Sequence, residues 1–272
     1  MPIPSTKLTQ GIHVLHLFFR VDRVRWAALP AGESAATRDR LDGIAKKFTG
    51  PAAPRVCTYA GVGGKADVGF MIYAAELQQL SAMQREVELA FPAGALQLVY
   101  SYLSVTELPE YVTTDDDLKR MIQHGERKLQ PGTPEFDEAF AAAKKRNDEY
   151  KHYRLNPELE DWEIMCFYGM TKKRDLADNW YMLDFDARKK LMASHAKTGR
   201  KFAGRISQLI TGSTGMDEYE WGVTLIAHQL DAVKEIIYEM RFDEVSARFG
   251  EFGPFYINLR LQPADLWEHL RL

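Results

Sequence analysis

Two hydrophobic periods take turns along this chain. Residues 12–19 (Ile-His-Val-Leu-His-Leu-Phe-Phe) form an apolar run of strand length. Residues 33–48 spread Leu41, Ile44 and Phe48 among charges at helical spacing. A short strand at 55–59 is only weakly patterned. Residues 65–73 read as a strand after the glycine turn at 61–64. Residues 75–90 read as an amphipathic helix, with Leu77, Leu80, Met83 and Val87 three and four apart. Residues 96–108, rich in Val, Tyr and Thr, predict a long strand. The order then recurs. Strands are predicted at 161–168, 205–211, 220–227 and 255–261, and helices at 186–203 and 230–241.

Each stretch therefore reads β-α-β-β-α-β, the ferredoxin-like order. The pattern predicts an α+β chain made of a duplicated unit, with helices covering one face of each antiparallel sheet. No sequence identity links the halves, so the repeat rests on element order. The expected division is an N-terminal half at 1–112, a charged connector at 113–158 and a C-terminal half at 159–272. The connector contains Asp115-Asp-Asp117, Gly125-Glu-Arg-Lys128 and Lys144-Lys-Arg-Asn-Asp-Glu149, with a helix expected at 139–150.

Size and charge narrow the function. A chain of 272 residues hides enough surface to form a core without disulfide or metal staples. A net charge of −3 argues against general nucleic-acid binding, while allowing a local basic pocket. Cys57 and Cys166 lie far apart in apolar runs and read as buried thiols. No basic-then-apolar leader is visible at residues 1–7, and the run at 12–19 is too short to span a bilayer. A soluble cytoplasmic protein is expected.

Four places offer chemistry. His195 shares a helical face with Leu191, Met192, Gly199 and Phe202, and Gly199 would let a flat cofactor approach. On spacing alone, a core histidine satisfied by a backbone carbonyl is the commoner outcome. Gln208 falls on the strand face of Ile206 and Ile210, where it needs hydrogen-bond partners or a ligand, unless that face is an exposed edge. Tyr168 ends a strand whose face also holds Trp162, Ile164 and Cys166, and a basic run, Lys172-Lys-Arg174, follows. That run, with Lys151 and Arg154 upstream, suits an anion or is a solvated loop. Residues 238–253 begin on a helix and end in a glycine-rich turn. Arg241, Asp243, Glu244, Arg248 and Glu251 there read as bracing ion pairs.

Several of these runs together resemble the coproheme decarboxylases of the chlorite dismutase superfamily. The resemblance is carried by Tyr168-Gly-Met-Thr-Lys-Lys-Arg174, Asn179-Trp-Tyr-Met-Leu183, Leu191-Met-Ala-Ser-His195, Ile210-Thr-Gly-Ser213, Tyr219-Glu-Trp-Gly-Val223 and residues 238–253. Gly64-Lys-Ala-Asp67 and residues 100–108 extend it more loosely. It implies a dimeric α+β barrel protomer, usually in a homopentamer, with the porphyrin in the C-terminal half. The implied reaction is peroxide-dependent oxidative decarboxylation of two propionates of iron coproporphyrin III (coproheme) to vinyls, giving haem b. The iron of the substrate is the implied redox centre.

By position, His195 resembles the proximal iron ligand, Tyr168 the radical-forming tyrosine and Lys172 the basic residue beside the second propionate to react. Arg154 and Ser246 resemble propionate anchors, and Gln208 the distal residue. Gly169, Met170 and Thr171 complete the stretch that lines the substrate, partly through backbone. A transient contact with a coproporphyrin ferrochelatase is also implied, with no nucleic-acid or membrane partner. Chlorite dismutases carry a distal arginine instead of glutamine, which separates that rival. A non-catalytic haem-binding or haem-transfer protein and a cofactor-free oligomer are further alternatives. Gly169 replaces the common proline, implying a looser loop, and Ala196 replaces the usual glycine. The connector is long for the family. The tail at 262–272, with Trp267, is extra and either covers a neighbouring subunit or packs on its own.

Overall fold

The structure, a computed structural model, describes residues 6–125 and 128–272. The leader reading at 1–7 therefore falls mostly outside the described residues, as do Glu126 and Arg127 of the connector. The N-terminal half contains β1 (His13–Val21), α1 (Arg23–Ala27), α2 (Glu33–Lys47), β2 (Arg55–Val62), β3 (Val68–Ala74), α3 (Leu77–Ala90) and β4 (Leu96–Thr106). The connector forms α4 (Asp115–His124) and α5 (Pro134–Leu155). There follow β5 (Ile164–Lys172), α6 (Phe185–Arg200), β6 (Ile206–Gly212), β7 (Trp221–Ala227), α7 (Leu230–Met240), α8 (Glu244–Phe249), β8 (Gly250–Phe252), β9 (Tyr256–Arg260) and α9 (Pro263–Leu270).

The strands form one antiparallel sheet in the order β7-β6-β4-β1-β3-β2-β9-β5-β8, and a further β7–β5 pairing closes eight of them into a barrel. The runs β4-β1-β3-β2 and β9-β5-β7-β6 have the same ferredoxin-like order, which matches the α+β expectation. They meet at two seams, through Val105↔Gly212 and Thr106↔Thr211 on one side and Tyr59↔Arg260 to Val62↔Ile257 on the other. The antiparallel sheets of the two halves thus join into one closed sheet, the α+β barrel that the resemblance implies.

Strand alternation sorts side chains between the barrel interior and two outer faces. Val14, Phe18, Tyr102, Phe167 and Tyr256 fill the interior. Leu17, Phe70 and Ile72 pack outward with Leu41, Leu80 and Met83 of α2 and α3. Cys166, Tyr168, Val223 and Leu225 pack outward with Val233 and Ile236 of α7. Both cysteines are free and buried. His16 lies inside the barrel, stacked on Phe167 with centroids 4.1 Å apart. Burial lowers its pKa to about 3.

Several expectations are corrected. β2 is an eight-residue strand; its first six residues are all buried, so the alternation that marks a strand is missing. β5 continues to Lys172 because β8 pairs with its end, so Tyr168 is mid-strand and Lys172 is not in a solvated loop. Residues 244–252 form α8 and β8 rather than a turn. Trp162 precedes β5, packs toward the barrel interior and stacks on His228, so it does not share the Tyr168 face. α5 is longer than 139–150 because Thr133 caps it and Pro134 starts it. The tail forms α9, which packs on its own protomer: Leu266, Trp267 and Leu270 enter the outer core of the N-terminal half.

Candidate functional site

The outer face of β5 presents Cys166, Tyr168, Met170 and Lys172 in alternation. Tyr168 is buried, with its ring 4.4 Å from Phe255 and 5.9 Å from Phe252. Burial pushes its phenol well above the usual tyrosine range; the neighbouring Cys166 adds to this, and the Arg241 charge opposes it. Thr171, Tyr219, Arg241, Gly250, Phe252 and Phe255 line an open cleft beside this tyrosine. The Arg241 guanidinium lies 4.1 Å over the Phe252 ring.

Gln208 reaches the same sheet face through the register. It pairs with Leu225, which pairs with Cys166, while Ile210 pairs with Val223 opposite Tyr168. Gln208 is exposed between Ile206 and Ile210, so the expected face assignment holds. Gly169 and Thr171 project the other way. A Cβ on Gly169 would stand 2.5 Å from the Tyr219 ring, and Thr171 Oγ1 donates to Glu220 at 2.5 Å. Gly169 therefore permits a close approach within a paired strand rather than loosening a loop.

His195 lies on α6, none of whose residues is buried. The Asp184 side chain caps this helix by accepting from Ala187 N–H at 2.8 Å. Gly199 lets Met240 of α7 approach, since an added Cβ would be 3.3 Å from it. The glycine thus serves helix packing. His195 Nδ1 is 2.7 Å from Asp243 Oδ2, and its side chain is 27% exposed while that of Asp243 is 4% exposed. Nδ1–H donates to the carboxylate in this pair, leaving Nε2 without a partner among the described residues. A backbone carbonyl is not its partner.

Asp243 also bears on Lys172. Burial lowers the Lys172 ammonium to about 8, while the charges of Asp243 and Glu220 pull it back up. Its Nζ lies 4.9 Å over the Trp180 ring. Ser246 is buried in α8, three residues after Asp243. The fold thus brings Tyr168, Lys172, His195, Gln208 and Ser246 to one side of the barrel. Arg154 stands apart from them at the end of α5. It donates to the Glu107 carbonyl at 3.4 Å, and its Nε is buried without a partner among the described residues. The Glu107 carboxylate accepts from Trp221 Nε1 at 3.3 Å, which places this rim next to β7.

Three residues of the site escaped the sequence reading. Asp243 and Arg241 read there as bracing charges, and Glu220 had no role. Asp243 is 48 positions from His195, and no local pattern joins them.

These residues carry donors that suit an anionic ligand. Among the described residues no group of three His, Cys, Asp or Glu side chains could hold a bare ion. Among the described residues one imidazole nitrogen is free and an ammonium is buried without an ion pair, while the unpartnered Nε of Arg154 stands apart from them. A tetrapyrrole iron with propionates matches that donor set.

The α+β barrel and this site define the class: the chain belongs to the chlorite dismutase family, whose model matches residues 34–261. It is 35% identical to a novel haem-binding protein from Thermus thermophilus; 100% of this chain and 99% of that one are covered, with a TM-score of 0.77. The chlorite dismutase of Candidatus Nitrospira defluvii in complex with imidazole is 17% identical; 97% of each chain is covered, with a TM-score of 0.70. Among the described residues no helix is long and apolar enough to cross a membrane.

Proposed function

We propose that this chain binds iron coproporphyrin III between α6 and the outer face of β5–β7, and converts two propionates to vinyls with hydrogen peroxide, giving haem b. The observation that carries this reading is His195, held at Nδ1 by Asp243 with Nε2 free, in one constellation with the buried Tyr168 and Lys172. Nε2 of His195 would hold the iron, and Asp243 at Nδ1 would fix its tautomer and orientation. The iron porphyrin supplies the redox chemistry when bound. Each propionic acid group with one peroxide gives a vinyl group, carbon dioxide and two waters.

Tyr168 would lose its phenol hydrogen atom to the peroxide-derived oxidant and recover one from a propionate carbon; burial keeps the phenol protonated beforehand. Lys172, Arg241, Arg154 and Ser246 contact carboxylates. Gln208 offers peroxide a neutral hydrogen-bonding group, unlike the arginine of chlorite dismutases. The ring of protomers, the cytoplasmic setting and the ferrochelatase contact belong to the same proposal, as does the division at 112 and 158.

A second reading, haem binding without turnover, is favoured by the haem-binding description of the Thermus protein. Coproheme titrated with peroxide and followed by porphyrin mass distinguishes the two. Haem b is expected from the unsubstituted chain, and intact coproheme from a Tyr168→Phe variant that still binds it. Haem b from that variant removes Tyr168 from the mechanism. Tight binding with no product from either chain establishes the second reading.

A further inference from the structure

Lys172 poses a problem that its own contacts do not solve. Its ammonium is buried, with the residue 6% exposed. Burying a charge is costly unless a partner compensates. Two acids lie close enough to act on it, yet neither forms an ion pair with it among the described residues. Asp243, at the α7–α8 junction, is engaged by His195 at 2.7 Å. Glu220, just before β7, is also buried and accepts from three donors: Thr171 Oγ1 at 2.5 Å and Lys172 N–H at 2.9 Å at Oε2, and Tyr181 Oη at 2.5 Å at Oε1.

Tyr181 is the donor that comes from outside the strand pair. It lies in the short 3-10 turn Trp180–Met182, which Asn179 caps by accepting from Tyr181 N–H at 3.1 Å. Its neighbour Trp180 supplies the indole face under the Lys172 ammonium. A cation on an aromatic face is stabilised, but it keeps its charge for any carboxylate that arrives. The turn therefore supplies both the lysine's apolar seat and a hydroxyl that donates to Glu220 Oε1.

We propose that Tyr181 is a positioning residue for Lys172: by occupying Glu220 it keeps the buried ammonium out of an internal ion pair, so its charge is available to a carboxylate of the ligand. The half-exposed Tyr181 touches no reacting atom in this scheme. Its identity as a ligand-presenting element rests on the reading of Lys172 given under Proposed function.

The test follows the amine directly in the ligand-free full chain. Competitive acetylation across pH, read by peptide mass spectrometry, reports the titration midpoint of Lys172, with the other lysines as internal controls. The unsubstituted chain should titrate near 8 at this position. Tyr181→Phe frees a Glu220 oxygen to pair with the ammonium, and the Lys172 midpoint should rise to the ordinary lysine value of about 10.4 or beyond. Affinity for iron coproporphyrin III should fall about tenfold, the size of one lost charge-assisted contact.

Adding Glu220→Gln to Tyr181→Phe removes the competing charge, and the midpoint should return toward 8. A merely structural role for Tyr181 gives no such reversal. An unchanged midpoint in Tyr181→Phe overturns the proposal, and so does a raised midpoint that Glu220→Gln leaves raised. Failure of the unsubstituted chain to bind iron coproporphyrin III overturns the functional reading instead, and the labelling result stands apart from it.

Discussion

At the scale of single residues, the site is built from groups held in costly states. Tyr168 is a phenol in a dry aromatic pocket, and Lys172 is an ammonium with no ion-pair partner among the described residues. Lys172 makes the cost measurable. Its folded-state pKa is lowered from 10.5 to about 8, so between those values the unfolded chain binds more protons than the folded one. Stability therefore rises with pH across that interval, and the full penalty applies below about pH 8. At about 1.4 kcal/mol per pH unit the penalty is at most about 3.5 kcal/mol. Lys172→Met should raise the unfolding free energy at pH 7 by roughly 2–3 kcal/mol and lose most of that advantage near pH 10.5. Urea titrations at the two pH values check this. An equal gain at both would mean that shape, not charge, sets the effect.

At the scale of elements, legibility followed exposure. Helices α2, α3, α6 and α7 stand close to where their periodic apolar faces predict them, because one face of each meets water. β2 was faint because burial on both faces removes alternation, and the end of β5 was missed because its partner β8 is only three residues long. Gly169 shows the limit of reading a motif without its strand. It pairs with Gly222, and an added Cβ there would meet Tyr102 at 2.6 Å, so the two glycines let Tyr219 and Tyr102 lie against the sheet. Tyr102 Oη then donates to the Tyr219 carbonyl at 2.9 Å. Gly169→Ala should cost about 1–3 kcal/mol through overpacking against Tyr219. Adding Tyr219→Ala should absorb part of that loss, because the ring causes it. Thermal melts of the four chains of this double-mutant cycle decide the matter; additive losses would place the cost elsewhere.

At the scale of the whole molecule, the closed barrel separates the load of folding from the site. His195, Tyr168 and Gln208 stand out in the sequence as candidates by type and motif, while the Asp243 and Glu220 contacts became visible only when distant segments met. The tail is the converse case. It carries no site motif, yet it completes the outer core of the N-terminal half. There Trp267 stacks on Trp26 at 5.5 Å and lies 5.7 Å from Phe91, and it is 3% exposed. Trp267→Ala removes one of the largest side chains of that core and should cost about 3–5 kcal/mol, lowering Tm by on the order of 10 °C. The proposed porphyrin site lies on the other outer face of the barrel, with the interior layer of Phe18, Phe167 and Tyr256 between them. Coproheme affinity measured well below both melting temperatures should therefore stay within about twofold of the unsubstituted chain, since sites without shared partners act almost independently. A matching loss of affinity would show instead that the barrel interior couples its two outer faces.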